Sequence, residues 1–150
     1  MQLRLSVEGD AAQVLDSEVR DIAVPDLSSA QTALGTPALF RARTVREFEQ
    51  LKKDLDAVPL TTREFSRTDR LLIRVPAYGA GGAAPTITAK LLNRTGQTMM
   101  DLPVAAATSA GDAQIELPLA ALPPGEYLVE VMAAGEGGEA KELVGFRVTG

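Results

Sequence analysis

The 150-residue sequence contains no cysteine and no histidine. Without these residues the chain has no disulfide, no thiol nucleophile, no imidazole for a catalytic triad, and neither of the usual ligands of zinc and haem. We find no other credible catalytic set in the sequence. We therefore expect a protein that is not an enzyme and that uses no cofactor or metal.

Aromatic residues are also scarce, at 4% with no tryptophan, so the core has to be built from aliphatic side chains. The net charge of -5 argues against nucleic-acid binding, because phosphate recognition needs a concentrated positive surface. No run of about 18 apolar residues is present, which excludes a predicted membrane-spanning helix. The hydrophobic content of 45% is nevertheless ordinary for a globular protein, so we expect an ordered fold.

Apolar and polar residues alternate in short segments that are separated by glycine- and proline-containing turns. These segments cover residues 3–7, 14–24, 71–75, 87–91, 99–104, 115–119, 127–131 and 144–148. A period of two at this spacing is typical of an antiparallel sandwich. We predict an all-β protein, an antiparallel β-sandwich of the immunoglobulin or fibronectin type III kind. The segment 99–104 contains Pro103 and is predicted to be an edge strand, whereas residues 76–85 are predicted to be a flexible loop.

A corner in the chain precedes the strand 127–131. Pro123, Pro124 and Gly125 force the chain to bend, and Tyr127 follows at the start of the alternation. In sandwich folds a tyrosine at this place packs its ring inside and bonds its hydroxyl to the backbone just upstream. We therefore assign Tyr127, Gly125 and Pro124 a structural role in a tyrosine corner.

One segment departs from the period of two. Residues 44–57 are predicted to be a short flanking helix with Thr44 as N-cap and Glu47 completing a capping box. Its apolar stripe consists of Val45, Phe48, Leu51 and Leu55. We expect the helix to end before Pro59 and to dock on a sheet, because an isolated helix of this length is marginal.

The domain organisation is predicted from turn and linker signals. Residues 1–25 read as a β-hairpin that either ends a preceding domain or adds strands to the same sheet, 26–33 as a linker, and 34–150 as the sandwich domain. The first predicted strand, 3–7, begins only two residues after Met1, so we expect the chain to be a piece of a longer protein. The sequence leaves the oligomeric state open.

Five blocks resemble a known group of proteins in their order and spacing: LGTPALFRARTVREF (34–48), TREFSRTDRLLIRVPAYG (62–79), LLNRTGQTM (91–99), LPLAALPPGEYLVEV (117–131) and KELVGFRV (141–148). The chain resembles the C-terminal region of bacterial secreted proteins that carry a von Willebrand factor A-type domain. The resemblance implies an immunoglobulin-like or fibronectin-like fold, an extracellular, periplasmic or cell-envelope location, and an adhesive or scaffolding role. It transfers no catalytic residues.

That group's metal site has the pattern Asp-x-Ser-x-Ser. The nearest match here begins at Asp26 and has Ala30 in the last ligand position. We interpret it as a turn or N-cap rather than as a metal site.

Two features are candidates for contact with a partner. The arginines of an otherwise acidic chain concentrate in one stretch, at Arg63, Arg67, Arg70 and Arg74. They either form a patch for an acidic partner or pair with neighbouring carboxylates and lie along the sheet. Tyr78 lies at the start of a glycine-rich loop, which either contacts a partner or is a solvated hairpin loop.

These observations predict a non-catalytic protein-interaction or spacer module. Its partner would be an upstream domain of the same polypeptide or another envelope protein. The alternative is a carbohydrate-binding accessory module of an extracellular enzyme. That alternative requires a row of exposed aromatic rings, which Phe40, Phe65 and Tyr78 would have to supply.

Overall fold

A computed structural model describes residues 2–10, 13–23, 31–106 and 112–150. Their elements are β1 (Gln2–Glu8), β2 (Val14–Asp21), β3 (Ala33–Leu34), β4 (Ala38–Ala42), α1 (Val45–Lys53), β5 (Glu64–Ser66), β6 (Arg70–Tyr78), a 3-10 turn (Ala80–Gly82), β7 (Thr86–Asn93), β8 (Thr98–Leu102), β9 (Val104–Ala106), β10 (Asp112–Pro118), β11 (Gly125–Gly135) and β12 (Gly138–Thr149).

The strands form two five-stranded sheets and a separate two-stranded sheet. The first sheet has the order β3-β6-β10-β9, with β4 also paired to β6, and the second has the order β5-β12-β11-β7-β8. All pairs are antiparallel except β5 with β12, which run parallel. The predicted all-β sandwich with one short helix is confirmed, with this one parallel pair as a departure from the expected antiparallel order.

The main core lies between the two large sheets. Alternate residues of each strand point inward, as the period of two requires. On β6 these are Leu71, Ile73 and Val75, and on β11 Val129 and Val131, all with 0% of their surface exposed. The core is aliphatic as expected, with a small aromatic cluster in which the ring of Phe146 contacts those of Tyr127 and Phe65.

The outer face of the first sheet is also covered, because α1 packs on it. Phe48 of the helix is buried against Phe40, Ala42 and Leu72 in a second apolar cluster. This explains why Leu72 is apolar although it alternates with the inward-facing residues of β6. The helix therefore docks on a sheet, as its length predicts.

The predicted helix boundaries are right at the start and wrong at the end. Thr44 is the N-cap, and it forms the full capping box with Glu47. The helix stops at Lys53 rather than at residue 57, and Asp54 at its C-cap is already extended. Leu55 is therefore outside the helix and 54% exposed, and Val45 is 60% exposed, so only the middle of the predicted stripe is covered.

The tyrosine corner is confirmed. The Tyr127 hydroxyl donates to the Pro123 carbonyl over 2.8 Å, and the ring is only 7% exposed. Gly125 lies against the same ring, since a Cβ placed there would be 3.8 Å from Tyr127 Cε2. The bend and the packed ring together fix where β11 begins.

The edge prediction for residues 99–104 is confirmed, and one loop prediction needs correction. The segment is broken at Pro103, with β8 at the edge of the second sheet and β9 at the edge of the first. Proline lacks the N–H that a continuous ladder needs, so the chain changes sheets there. The predicted loop 76–85 starts too early, because β6 continues through Tyr78 and pairs with β3.

The hairpin predicted in residues 1–25 is present as β1 and β2, which pair with each other in a two-stranded sheet. The division into a hairpin, a linker and a sandwich domain stays a prediction. Most of the predicted linker, and with it the Asp26–Ala30 pattern, lies outside the described residues.

Candidate functional site

Arg74, predicted as a partner contact, is directed into the protein. It is 5% exposed on the outer face of β6, beneath α1. Its guanidinium donates to the backbone carbonyls of Asp54 and Leu51 and lies 4.7 Å from the ring centre of Phe40. Arg74 therefore holds the end of the helix and is not available to a partner.

The other three arginines of the stretch do not form one patch either. Arg67 donates to the carbonyl of Ala120 over 2.9 Å, and Arg70 is half-buried at the first residue of β6. Arg63 precedes β5 and is exposed. The structure thus separates the four residues, and Arg63 is the one that lies at an open concave surface.

This concave surface, which we call the arginine groove, lies on the outer face of the second sheet. It has a volume of about 440 Å³. Three arginines rim the groove, and its floor includes one aliphatic side chain and one glycine. The rim arginines are Arg63, Arg94 and Arg147, the floor residues are Leu128 and Gly145, and Glu126 also lines the groove.

The strand register assembles this groove. Leu128 of β11 lies opposite Gly145 of β12, and Glu126 lies opposite Arg147, so all four side-chain positions share the outer face. Arg94 comes from the β7–β8 turn, in which Gly96 adopts a φ of 84° that other residues resist. Residues from four separate parts of the chain therefore meet at one site.

Two of the arginines already have acidic partners. Arg94 Nε lies 3.4 Å from Glu126 Oε2, and Arg147 Nη1 lies 3.8 Å from Glu64 Oε1. Both pairs are solvent-exposed, and such pairs contribute little to stability. Arg63 forms no ion pair with any described residue. The rim therefore keeps an excess of positive charge that is available to an acidic group.

Gly145 gives the groove its depth. A side chain at position 145 would lie between Arg147 and Leu143 on the outer face. Glycine leaves that space open, and we call this gap the Gly145 notch. The fold itself does not require the glycine, because a Cβ would meet only Leu128 Cδ2 at an ordinary 3.6 Å. Glycine inside a strand weakens the strand and is often found where another molecule's backbone approaches closely.

A second depression surrounds Asp69, which is 4% exposed. Its carboxylate accepts from the backbone N–H of Ser66 and lies 4.0 Å from both Arg41 and Arg43. These contacts hold the turn between β5 and β6. We interpret Asp69 as a turn-stabilising residue.

The aromatic candidates also separate. Phe40 and Phe65 are 3% and 1% exposed in two different clusters. Tyr78 is 40% exposed at the end of β6, opposite Ala33 of β3, and it does not line the arginine groove. The three rings therefore form no row.

The groove offers guanidinium groups, two carboxylates and an aliphatic floor. The described residues contain no group of three or more acidic side chains placed to hold a metal ion. Across the same residues, no helix has the length and apolarity that a bilayer span requires.

Sequence reasoning identified Arg63 but missed Arg94, Arg147 and Gly145. A signal was present for two of them: in the strand 144–148, residues 145 and 147 fall on the outward side of the alternation. Glycine is uncommon inside a strand, and on the outward side it leaves a gap between the neighbouring side chains, which indicates a depression in the surface. Nothing in the sequence shows that the turn bearing Arg94 reaches the same place.

No family model matches the chain, and no curated protein matches it. Among solved structures it is similar to the endo-beta-1,4-mannanase from Thermotoga petrophila, with a TM-score of 0.47 and 14% identity. The match covers 69% of this chain and 23% of that chain, so the chain spans less than a quarter of the mannanase.

Proposed function

We propose that this chain is a non-catalytic protein-interaction module of an exported bacterial protein, with an immunoglobulin-like or fibronectin-like sandwich as its scaffold. The observation that carries the proposal is the arginine groove. It is concave, it has an aliphatic floor at Leu128, and three arginines from separate parts of the chain rim it. Such a combination of apolar floor and arginine rim is typical of protein contact surfaces.

The resemblance to the region that follows a von Willebrand factor A-type domain supports the rest of this proposal. It implies a location outside the cytoplasm, secreted or in the cell envelope, as part of a longer chain. It also implies an adhesive or scaffolding role. The partner is then an upstream domain of the same polypeptide or another envelope protein.

A carbohydrate-binding accessory module is the less favoured function. Planar sugar rings stack on exposed aromatic side chains, and Phe40 and Phe65 are buried in the protein. Tyr78 is the one remaining member of the expected row. Loss of glycan-array binding in Tyr78→Ala would favour this alternative over the protein-interaction module.

A pull-down from envelope extract tests the proposal with three forms of the protein. Gly145→Glu places a carboxylate in the notch, and the strand tolerates it because a Cβ there has ordinary contacts. Arg46→Glu is the matched control, since Arg46 is exposed on α1, which packs on the other sheet.

We expect at least one protein to be retained by the wild type and by Arg46→Glu and lost by Gly145→Glu. If the three forms recover the same proteins in the same amounts, the groove is not a contact surface. The spacer interpretation would then be favoured.

A further inference from the structure

The β1–β2 hairpin carries a concentration of exposed large aliphatic side chains. Six of them are 37–64% exposed: Leu3, Leu5, Val7, Val14, Leu15 and Val19. The two strands pair with each other and with no other described strand. A two-stranded hairpin is at best marginally stable by itself in water, so its surface calls for a partner.

One face of the hairpin has an ordered pattern. Leu5 of β1 lies opposite Glu18 of β2, and Val7 lies opposite Asp16. Residues that are opposite in an antiparallel pair point to the same side. This face therefore carries an aliphatic row from β1 and, one strand spacing of about 4.8 Å away, the carboxylates of Asp16 and Glu18 on β2. Arg20 follows them on the same face, opposite Leu3, and lies 2.7 Å from Glu18.

The charge of the hairpin is opposite to that of the groove rim. Residues 2–23 contain two arginines and five acidic residues, Glu8, Asp10, Asp16, Glu18 and Asp21. The hairpin thus holds much of the chain's negative charge. The groove, by contrast, has three arginines against two glutamates, and Arg63 has no ion pair among the described residues.

We propose that the hairpin of a second copy of this chain docks in the arginine groove. In this arrangement Leu5 and its aliphatic neighbours lie over Leu128 and the Gly145 notch, and the carboxylates of Asp16 and Glu18 face the rim at Arg63 and Arg147. The proposal rests on the proposed function, because it names the partner of the same groove.

A second copy fits both surfaces at once. Each chain carries one exposed hairpin and one open groove, so two chains related by a twofold axis make the same contact twice. Two linked contacts bind more tightly than either alone, which offsets the modest size of each one. The proposal also explains Gly145, whose missing side chain the fold of one chain does not require.

Sedimentation velocity on the full chain tests this proposal. We expect a concentration-dependent monomer–dimer equilibrium that weakens at high salt, since the Debye length falls from about 30 Å at 0.01 M to about 3 Å at 1 M. A chain that stays monomeric at low salt up to its solubility limit would overturn it.

Single substitutions on either side locate the contact. Gly145→Glu in the groove and Leu5→Glu in the hairpin should each weaken dimerisation by about tenfold or more, and Arg46→Glu should leave it unchanged. Far-UV circular dichroism and a urea midpoint show that each variant is folded. A dimer that is equally stable in all three variants is built from other surfaces and rejects the proposal.

A charge exchange supplies a second, independent test. Arg63→Glu should weaken the dimer, and adding Glu18→Arg in the same chain should restore it at least in part. The ion pair that Glu18 makes with Arg20 is exposed, so this change costs little fold stability. If the double variant is no tighter than Arg63→Glu, Glu18 does not face the rim and the docking geometry is wrong.

The results distinguish a failure of the dimer proposal from a failure of the proposed function. A monomeric chain that still loses an envelope protein through Gly145→Glu would overturn the second copy as occupant and keep the groove as a contact site. A dimer disrupted by Leu5→Glu but not by any groove variant would overturn both the docking site and its assigned occupant.

Discussion

Arg74 of β6 and Gln114 of β10 lie directly opposite each other on the outer face of the first sheet, and both donate to the end of α1. Arg74 reaches the carbonyls of Asp54 and Leu51, and Gln114 Nε2 reaches the carbonyl of Lys52 over 3.2 Å. The last carbonyls of a helix have no partner within the helix. The sheet supplies partners for these carbonyls, in addition to the Asp54 backbone N–H that reaches the Leu51 carbonyl, and so stabilises the end of the helix at Lys53.

Replacing Arg74 should destabilise the protein more than replacing any exposed arginine. Arg74→Ala removes two hydrogen bonds from a charged donor and the contact with Phe40, so we expect a loss of about 2–3 kcal/mol in the free energy of unfolding. Arg74→Lys should recover only part of this loss, because one ammonium cannot reproduce the forked geometry. Urea denaturation measures both, with Arg46→Ala as a control that should change stability by less than about 0.5 kcal/mol. Equal effects at positions 74 and 46 would contradict the proposed anchoring of α1.

The tyrosine corner makes a second prediction. Tyr127→Phe removes the hydrogen bond to the Pro123 carbonyl and keeps the ring, so we expect a loss of about 1 kcal/mol. Tyr78→Phe is the matched control, because Tyr78 is exposed and should lose nothing measurable. Thermal melts of the two variants can be compared directly. An unchanged melting curve for Tyr127→Phe would mean that the hydroxyl bond does not stabilise the bend.

Gly79 and Gly81 resist substitution for two different physical reasons. A Cβ at Gly79 would clash with the Ala83 carbonyl oxygen, so Gly79→Ala requires the loop backbone to move. We expect it to cost about 2 kcal/mol or more. At Gly81 a Cβ would have open space, and the φ of 64° is the main penalty, about 1 kcal/mol. Equilibrium unfolding measures both losses. A larger loss at Gly81 than at Gly79 would show that the close approach is relieved by a small shift.

Lys52 gives the stability of the protein a pH dependence in the alkaline range. Its ammonium lies 2.7 Å from Glu49 and 2.9 Å from Glu116, and these hydrogen bonds raise the pKa of Lys52 above its usual 10.5. A raised pKa stabilises the folded protein fully below pH 10.5, and the contribution is lost as the pH rises through the folded-state value.

The comparison of wild type with Lys52→Met tests this linkage, because other alkaline titrations are common to both proteins. The stability difference between them should be constant at neutral pH and should shrink above pH 10.5. The free energy of unfolding from urea titrations at several pH values measures it. A difference that stays constant through that range would show that the ion pair does not couple to folding.

Much of the fold could be predicted from local patterns. Alternation placed Tyr127, Val129 and Val131 on one buried face, because side chains on a strand alternate regardless of what lies opposite. The capping box of Thr44 and Glu47 was equally readable, since it involves residues only three positions apart.

The candidate site could be predicted only in part. Arg63 and Arg74 look equivalent in the sequence, yet one rims a groove and the other is buried under a helix. The difference depends on which strand lies beside which and on where α1 docks. Those are contacts between residues far apart in the chain, and no local period encodes them.

The sequence by itself determined that this is an aliphatic, two-layered β protein with one capped helix and a bend held by Tyr127. Such features follow from backbone geometry and from neighbours a few residues away. Only the tertiary structure decided that Arg63, Arg94 and Arg147 meet around Gly145, and that Arg74 and Gln114 end the helix. The physical reason is that strand register and sheet order, which are set by packing across the whole core, bring distant side chains to one surface.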